Sequence, residues 1–206
     1  AAALRAGFPG GEQGGVSETR LFFAAMPPPD VVAAIREVVH THGLEQWLGR
    51  RLFAPENWHQ SLSERKRDAT RADMALLRAV GERIRAHAFT LQYNRIDSSL
   101  TPAGKHYLSL RAKGKPKAFE AINQALQREL LAADYPDMAT GVTAHTTLSY
   151  DAPSLIDKID IAPSIDWTIN ELLLVLGNGN PYHYDIIDRW PLLPERDPIV
   201  TQTSLF

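Results

Sequence analysis

Residues 55–62 have the sequence PENWHQSL, and residues 144–148 have the sequence AHTTL. Each stretch contains a histidine, a hydroxyl residue two positions later and a leucine directly after that hydroxyl. Side chains alternate between the two faces of a β-strand, so the histidine and the hydroxyl of each motif would share a face. His59 and His145 lie in different halves of the 206-residue chain, and the repetition is compatible with two similar lobes that face each other.

The apolar pattern around the two motifs predicts a mixed order of strands and helices. Thr70, followed three residues later by Asp73, is the predicted N-cap of the second of three helices. The helices are predicted at about 30–43, 70–84 and 116–130, and the strands at 20–26, 89–96, 106–111, 142–150, 167–176 and 182–190, with an extended segment at 52–63. Because strands often follow one another directly, the order indicates an α+β fold with antiparallel sheets rather than a doubly wound parallel sheet.

The two ends of the chain lack this pattern. Residues 1–18 are rich in Ala, Gly and single polar residues and are predicted to form a flexible tail, and residues 194–206 are predicted to form a second tail. A single folded domain is therefore predicted for residues 19–193, a length that suits one domain or two small lobes with a shared core.

Composition limits the classes of function. The formal net charge of −2 favours a small cleft for a strand end over a broad groove for long duplex. The chain contains no cysteine, which excludes disulfides, thiolate metal sites and a cysteine nucleophile and is compatible with a reducing cytoplasm. The apolar runs are too short to span a bilayer, and the N-terminal residues do not resemble a signal peptide. We therefore expect a cytoplasmic protein without a membrane contact.

The residue types of the two motifs suit phosphodiester hydrolysis if their strands meet across a cleft. One neutral imidazole would accept a proton from the attacking water, and the other, as imidazolium, would give a proton to the leaving ribose oxygen. An ordinary histidine pKa of about 6.5 allows both forms near neutral pH. Ser61 and Thr147 would donate hydrogen bonds to the non-bridging phosphate oxygens, so neither a metal ion nor a cofactor is expected. A single motif of this kind on a strand is usually structural, and only the second copy favours a catalytic role.

Five segments of the chain, in order, resemble the two-histidine phosphoesterase superfamily, and most closely the bacterial RNA 2′,3′-cyclic phosphodiesterase or 2′-5′ RNA ligase family. The resemblance extends over roughly residues 19–193, nearly the whole of the predicted domain. The matching segments are RLFFA at residues 20–24 with the prolines at 27–28, PENWHQSL at 55–62, AHTTL at 144–148, the strand at 167–174, and Tyr184 with RWPL at 189–192.

The resemblance implies a bilobed fold in which two antiparallel β-sheets face a central cleft, with helices on the outer faces and lobes related by a pseudo-twofold axis. It implies hydrolysis of a 2′,3′-cyclic phosphate to a 2′-phosphate, with 2′-5′ ligation as the reverse reaction. By position, it implies that His59 is the proton donor and His145 the proton acceptor.

The chain also departs from the family pattern. Ser61 replaces the usual threonine, and Gln60 stands where an apolar residue is typical. Tyr150 stands where a basic residue often follows the second motif, and the loop at residues 177–180, frequently basic in relatives, has the sequence GNGN. The last two changes remove positive charge near the expected phosphate.

Four residues are therefore candidates for substrate binding: Tyr150, Lys105, His106 and His183. The basic cluster at residues 65–67 is expected to form a solvated loop that could touch an RNA backbone. The expected substrates are RNA ends or small cyclic nucleotides, and the expected role is in RNA processing. A second hypothesis is an RNA- or nucleotide-binding module that has kept the cleft but lost turnover.

Two further expectations concern partners. The chain is expected to be a monomer. Residues 202–206, with the sequence QTSLF, resemble the short peptide by which bacterial proteins dock on the DNA sliding clamp, because an apolar end of this kind can enter a groove.

Overall fold

A computed structural model describes residues 18–196 of the chain, and this part contains four α-helices and nine β-strands. The predicted sliding-clamp peptide lies outside the described residues and stays a prediction. In the described part, none of the helices has both the length and the apolar character needed to cross a membrane. The helices are α1 (Pro29–Thr41), α2 (Leu44–Leu48), α3 (Arg71–Arg83) and α4 (Lys117–Ala132). The strands are β1 (Arg20–Ala25), β2 (Gln60–Ser61), β3 (Lys66–Arg67), β4 (Phe89–Leu100), β5 (His106–Ala112), β6 (His145–Ala152), β7 (Ile159–Ile169), β8 (Glu171–Asn178) and β9 (His183–Pro191).

All strand pairs of the sheet are antiparallel, in the order β7-β4-β5-β6-β2-β1-β8-β9, with β3 beside β1. The order divides into two halves of four strands that meet where β6 pairs with β2. In one half the chain passes from β1 through α1 to β2, and in the other from β5 through α4 to β6. This arrangement confirms the predicted α+β fold with its pseudo-twofold lobes. The two predicted sheets are, however, continuous, because β2 hydrogen-bonds to both β1 and β6.

The four helices pack on one face of the sheet. Alternation along β1 shows the division: Leu21, Phe23 and Ala25 join the large core that also contains the apolar residues of the helices. Phe22 and Ala24 point the other way and pack with residues of β8 in a separate small cluster. The period of two along a strand thus leaves the second face of the sheet free of helices and open for a site.

The predicted helices form where their end signals lie. Thr70 accepts a hydrogen bond from the Asp73 backbone N–H at 3.2 Å, and the Asp73 carboxylate accepts one from the Thr70 backbone N–H at 2.7 Å. This reciprocal capping box fixes the start of α3. Gly43, with φ of 66°, follows α1 in a left-handed conformation that glycine adopts without steric cost. The short helix α2 after it was not predicted.

The predicted strand at residues 167–176 is wrong, because these residues belong to two strands. Strand β7 ends at Ile169 and β8 begins at Glu171. The first part of β7, which lies outside the predicted strands, contains Pro163 and two aspartates, Asp160 and Asp166. Within the described residues β7 lies at the end of the strand order and pairs only with β4. An edge strand tolerates proline because one row of its backbone groups needs no partner in the sheet.

Gly81 in α3 provides a test of how closely the sheet and the helices pack. A Cβ atom at this position would collide with the indole ring of Trp190 in β9. Glycine-to-alanine changes inside helices usually stabilise by up to about 1 kcal/mol, but we expect Gly81→Ala to destabilise the protein by roughly 1–3 kcal/mol through overpacking. Urea unfolding would measure the change. In a Trp190→Leu background the same substitution should cost much less, and an equal cost in both backgrounds would contradict this explanation.

Candidate active site

The two histidine motifs lie side by side at the junction between the two halves of the sheet. Gln60 of β2 is the register partner of Thr146 of β6. Continuing this antiparallel register by one residue in each direction sets His59 opposite Thr147 and Ser61 opposite His145. Ser61 is in turn the partner of Ala24, which belongs to the face that carries no helices. Both imidazoles and both hydroxyls therefore lie on the open face of the sheet.

The backbone fixes the orientation of both imidazole rings in the same way. The Nδ1 atom of His59 lies 2.8 Å from the Asn57 carbonyl oxygen, and the Nδ1 atom of His145 lies 3.0 Å from the Thr143 carbonyl oxygen. A carbonyl only accepts, so in each ring Nδ1 carries the proton and donates it. The carbonyl belongs in each case to the residue two positions earlier. This leaves Nε2 of both rings with a free lone pair, as proton transfer to or from a substrate requires.

Both histidines are neutral at pH 7 in the free protein. The pKa of His59 is lowered to about 3, chiefly by burial and then by the charges of Arg65 and His145, while the hydrogen bond to the Asn57 carbonyl opposes the shift. Burial also lowers the pKa of His145 to about 4, assisted by the charges of Arg111 and Arg65. A histidine that acts as proton donor must therefore gain its proton when an anion enters the site and offsets these charges.

Aromatic side chains surround the two histidines. On one side Phe22, His59 and Tyr184 form a cluster in which the ring centroids are 4.9–5.6 Å apart. On the other side the Tyr107 ring lies 6.1 Å from His145 and 5.7 Å from Tyr150. The Tyr107 hydroxyl is 2.6 Å from Thr147 Oγ1, which fixes the position of the second motif's hydroxyl.

Gly177 of β8 makes room for the aromatic cluster on the His59 side. A Cβ atom at this position would collide with the hydroxyl of Tyr182 and approach the ring of Tyr184. Gly177 therefore has a packing function, since it leaves room for two tyrosines beside the first histidine.

Two arginines enter the site that the sequence analysis did not place there. Arg65 donates a hydrogen bond to the Tyr150 hydroxyl at 2.9 Å, and its guanidinium carbon lies 5.3 Å from the centre of the Phe22 ring. Arg111, the register partner of His145, donates to Thr143 Oγ1 at 3.3 Å. The expectation of a solvated loop is therefore wrong for Arg65, although Arg67 is exposed and pairs with Glu18.

The reason for the position of Arg65 is strand pairing. Leu21 and Lys66 are register partners of β1 and β3, so the next residue along each strand sets Arg65 beside Phe22. The sequence contains no signal for β3, which has two residues. A strand of two residues is too short to show the alternation of apolar and polar residues by which a strand is recognised in a sequence.

The structure brings one of the four candidate substrate-binding residues to the site and leaves the other three outside it. Tyr150 lies in the aromatic cluster on the His145 side, 5.0 Å from the Phe53 ring. The other three side chains have local partners outside both clusters. Lys105 Nζ lies 3.9 Å from the Asp151 carboxylate, His106 Nδ1 lies 3.2 Å from the Ala152 carbonyl oxygen, and His183 Nε2 lies 3.6 Å from the Asp185 carboxylate. His183 also alternates with Tyr184 along β9 and so faces away from His59.

Gln60, the residue between His59 and Ser61, connects the two motifs on the helix-covered face. It is completely buried. Its Oε1 accepts a hydrogen bond from the His145 backbone N–H at 2.8 Å, and its Nε2 donates to the Thr143 carbonyl oxygen at 2.9 Å. The same carbonyl accepts the Nδ1 proton of His145. The Gln60 amide therefore holds the backbone that leads into the second histidine, which explains a polar residue at a position where the family resemblance predicts an apolar one.

Several solved structures have the same fold as this chain. One solved structure, described simply as a phosphoesterase, has a TM-score of 0.68 and 22% identity over 85% of this chain and 99% of its own. A second is Escherichia coli LigT in its apo form, with a TM-score of 0.69 and 22% identity over 86% of this chain and 99% of that chain. A protein of Thermus thermophilus has a TM-score of 0.67 and 17% identity over 86% and 100% of the two chains. No family model and no curated protein matches the sequence. The chain thus has the LigT fold, as the resemblance predicted.

The role of Gln60 can be tested by Gln60→Leu, which keeps most of the volume but removes the amide. The Thr143 carbonyl and the His145 backbone N–H would each lose a buried partner, so we expect a loss of about 2–4 kcal/mol in the free energy of unfolding. Urea unfolding measures the loss. The matched control is Gln124→Leu at an exposed position of α4, where we expect a change within about 0.5 kcal/mol. Similar values for both variants would show that the amide has no structural role.

The low pKa values of the two histidines predict a pH dependence with a definite sign. Each folded-state value, about 3 for His59 and about 4 for His145, lies below the ordinary 6.5. Below pH 6.5 the unfolded chain binds protons that the folded chain does not, so the stability of the free protein falls as the pH falls from 6.5 towards 4. NMR of the imidazole groups should show both rings neutral at pH 5.5, whereas in urea all histidines titrate near their ordinary value. Titration of His59 or His145 near pH 6.5 in the folded protein would refute the prediction.

Proposed function

We propose that this chain is a metal-independent phosphodiesterase of the two-histidine phosphoesterase superfamily that hydrolyses 2′,3′-cyclic phosphates of RNA ends or nucleotides to 2′-phosphates. The observation that carries the proposal is the register of β2 and β6, which aligns two imidazoles with free Nε2 atoms and two hydroxyls on one open face. This set supplies a base, an acid and two hydrogen-bond donors for a phosphate group.

In the proposed reaction a water molecule attacks phosphorus while the bond to the 3′ oxygen breaks. The Nε2 atom of His145 accepts the proton of the water, and protonated His59 gives its proton to the departing 3′ oxygen. One water is consumed, and the product carries a 2′-phosphate and a free 3′-hydroxyl. Ser61 and Thr147 donate to the non-bridging oxygens, where negative charge is greatest in the transition state. With the 5′-hydroxyl of a second strand in place of the water, the same steps would form a 2′-5′ linkage: the 5′ oxygen attacks phosphorus, its proton passes to His145, and the 3′ oxygen leaves with the proton of His59.

Protonation of His59 is the step that the free protein does not favour. Burial and the charge of Arg65 keep its imidazole neutral. A bound phosphodiester anion adjacent to the ring would favour the imidazolium, because an opposite charge within a few ångströms stabilises the charged form. The substrate would therefore arrive together with one proton, and the acid would be formed only when the phosphate is in place.

The surroundings of the histidines favour a nucleotide over a simple phosphate ester. The rings of Tyr184, Tyr182 and Tyr150 border the site, and aromatic rings stack on bases without sequence preference. E. coli LigT, which has the same fold, has been crystallised with 3′-AMP and with ATP. Both observations support a ligand of nucleotide size. A strand end or a free cyclic nucleotide, acted on by a monomer in RNA processing in the cytoplasm, remains our proposal for the natural context.

The proposal is tested by hydrolysis of a nucleoside 2′,3′-cyclic phosphate in the presence of a chelator. We expect the wild-type protein to form the 2′-phosphate, and His59→Ala and His145→Ala each to lower kcat by about 10²–10⁴-fold, the range typical of a lost general acid or base. The matched control is His42→Ala, at an exposed position after α1, which should leave the rate unchanged. Product analysis by ³¹P NMR separates the 2′-phosphate from the 3′-phosphate.

Two outcomes would count against the proposal. Unchanged rates in both active-site variants would refute the acid–base mechanism. Nucleotide binding by the wild-type protein without any turnover would favour the second hypothesis, a binding module that keeps the cleft but has lost catalysis.

A further inference from the structure

Arg65 is a cation that reaches across the site from the first half of the chain to the second. Its guanidinium carbon lies over the Phe22 ring, which also packs against His59 in a tilted arrangement with centroids 5.2 Å apart. Its Nη2 atom donates to the Tyr150 hydroxyl, and Tyr150 packs on Tyr107, the neighbour of His145. The charge of Arg65 acts on both histidines, so the guanidinium lies within electrostatic range of each.

Nothing in the described part of the chain neutralises this charge by direct contact. The ion pairs among residues 18–196 do not include Arg65. Its one hydrogen bond is to a neutral hydroxyl, although the guanidinium has five N–H donors. Glu64, the preceding residue in the chain, is acidic but forms no ion pair with Arg65 among the described residues. Burial raises the pKa of the Glu64 carboxyl, and the Arg65 charge partly opposes that shift. A partly buried guanidinium without a carboxylate partner is costly to maintain.

The unused donors of Arg65 are not sealed inside the protein. None of its nitrogen atoms is among the buried polar atoms that lack a partner, so the donors without a protein partner face accessible space. That space is bordered by His59, whose Nε2 is free, and by the aromatic rings around it. The guanidinium is planar and presents paired donors that match two oxygens of a phosphate group.

We propose that Arg65 is the phosphate-binding cation of this cleft and that the Tyr150 hydroxyl positions it. The ligand class is a phosphate mono- or diester anion, bound through two of the free N–H groups. For its substrate the proposal rests on the proposed function, but anion binding by Arg65 does not require turnover. The positive charge thus comes from the residue directly before β3, whereas the base and its hydroxyl come from β6.

This arrangement also explains how the site controls protonation. Without a ligand, the Arg65 charge disfavours a second positive charge on either histidine. A phosphate that pairs with Arg65 cancels that field, so the histidines can bind a proton when the anion is present. Arg65 therefore couples phosphate binding to proton uptake.

Tyr150 is placed to hold the guanidinium rather than to touch the reacting atoms. Its ring is fixed between Phe53, with centroids 5.0 Å apart, and Tyr107, with centroids 5.7 Å apart. Tyr107 in turn holds the Thr147 hydroxyl. One chain of contacts therefore connects the arginine of the first half with the phosphate-binding hydroxyl of the second.

The test is binding of inorganic phosphate, followed by ³¹P NMR and by the imidazole signals of His59. We expect Arg65→Gln to weaken phosphate binding roughly 10- to 100-fold, the equivalent of one or two charge-assisted hydrogen bonds. We also expect it to raise the titration midpoint of His59 in the free protein. Arg67→Gln, two residues away, removes an exposed arginine paired with Glu18 and should change neither quantity. Arg65→Lys keeps the charge and should retain the low His59 midpoint, with only part of the phosphate affinity.

Tyr150→Phe separates positioning from packing, because it keeps the ring but removes the hydroxyl. We expect it to weaken phosphate binding several-fold in the wild-type background and to have no further effect in the Arg65→Gln background. Equal effects of Tyr150→Phe in both backgrounds would overturn the positioning role.

Equal phosphate affinity of Arg65→Gln and Arg67→Gln would overturn the binding role. If Arg65→Gln fails to fold, as circular dichroism would show, Arg65→Lys replaces it both in the phosphate-binding comparison and as the background for Tyr150→Phe. Loss of phosphate binding in the Arg65 variant, combined with a wild-type protein that does not hydrolyse cyclic phosphates, would support this inference and refute the proposed function. Hydrolysis of cyclic phosphates by the wild-type protein, combined with a phosphate affinity that does not depend on Arg65, would support the proposed function and overturn this inference.

Discussion

The pairing of Gln60 with Thr146 is the constraint on which the rest of the site depends. It is the register contact between β2 and β6, and it joins the two four-stranded halves of the sheet at their pseudo-twofold axis. A shift of this register by one residue would turn one histidine and one hydroxyl towards the helices, because side chains alternate along a strand. A contact between such short strand segments is weak in itself. The Gln60 amide strengthens it with hydrogen bonds to Thr143 and His145, so that a side chain compensates for the shortness of β2.

The same junction determines the chemistry of the histidines. Strands that meet in the middle of a sheet carry buried side chains, and burial is the largest cause of the low pKa of both imidazoles. The carbonyls of Asn57 and Thr143 partly oppose that effect and fix the tautomer. The free protein therefore contains two oriented neutral bases. An acid exists only in a complex whose ligand brings negative charge, which links the electrostatics of the fold to the class of ligand that it can use.

Much of this arrangement could be predicted from the sequence because it depends on local patterns. The alternation in HQSL and HTTL indicates a shared face for each histidine and its hydroxyl, and the capping residues Thr70 and Asp73 mark the start of a helix. The first part of β7 could not be predicted, since its proline and aspartates are typical of a loop and are tolerated only because the strand lies at an edge. The position of Arg65 could not be predicted either. It depends on a two-residue pairing of β3 with β1 that leaves no period in the sequence.

Arg65 shows why a departure from a sequence motif is a poor measure of lost function. The family resemblance leads to the expectation of a positive charge directly after the second motif, where this chain has Tyr150. A phosphate group, however, responds to charge at a position in space and not at a position in the sequence. Arg65 comes from the other half of the molecule and places its guanidinium on the hydroxyl of that same Tyr150. Tyr150 thus stands at the sequence position of the expected cation and binds the guanidinium of Arg65 from the other half of the molecule. The tyrosine at this position and the arginine at position 65 therefore amount to one exchange of the charge across the pseudo-twofold axis. On this argument the cleft keeps its capacity for an anion, although neither motif by itself contains the charge.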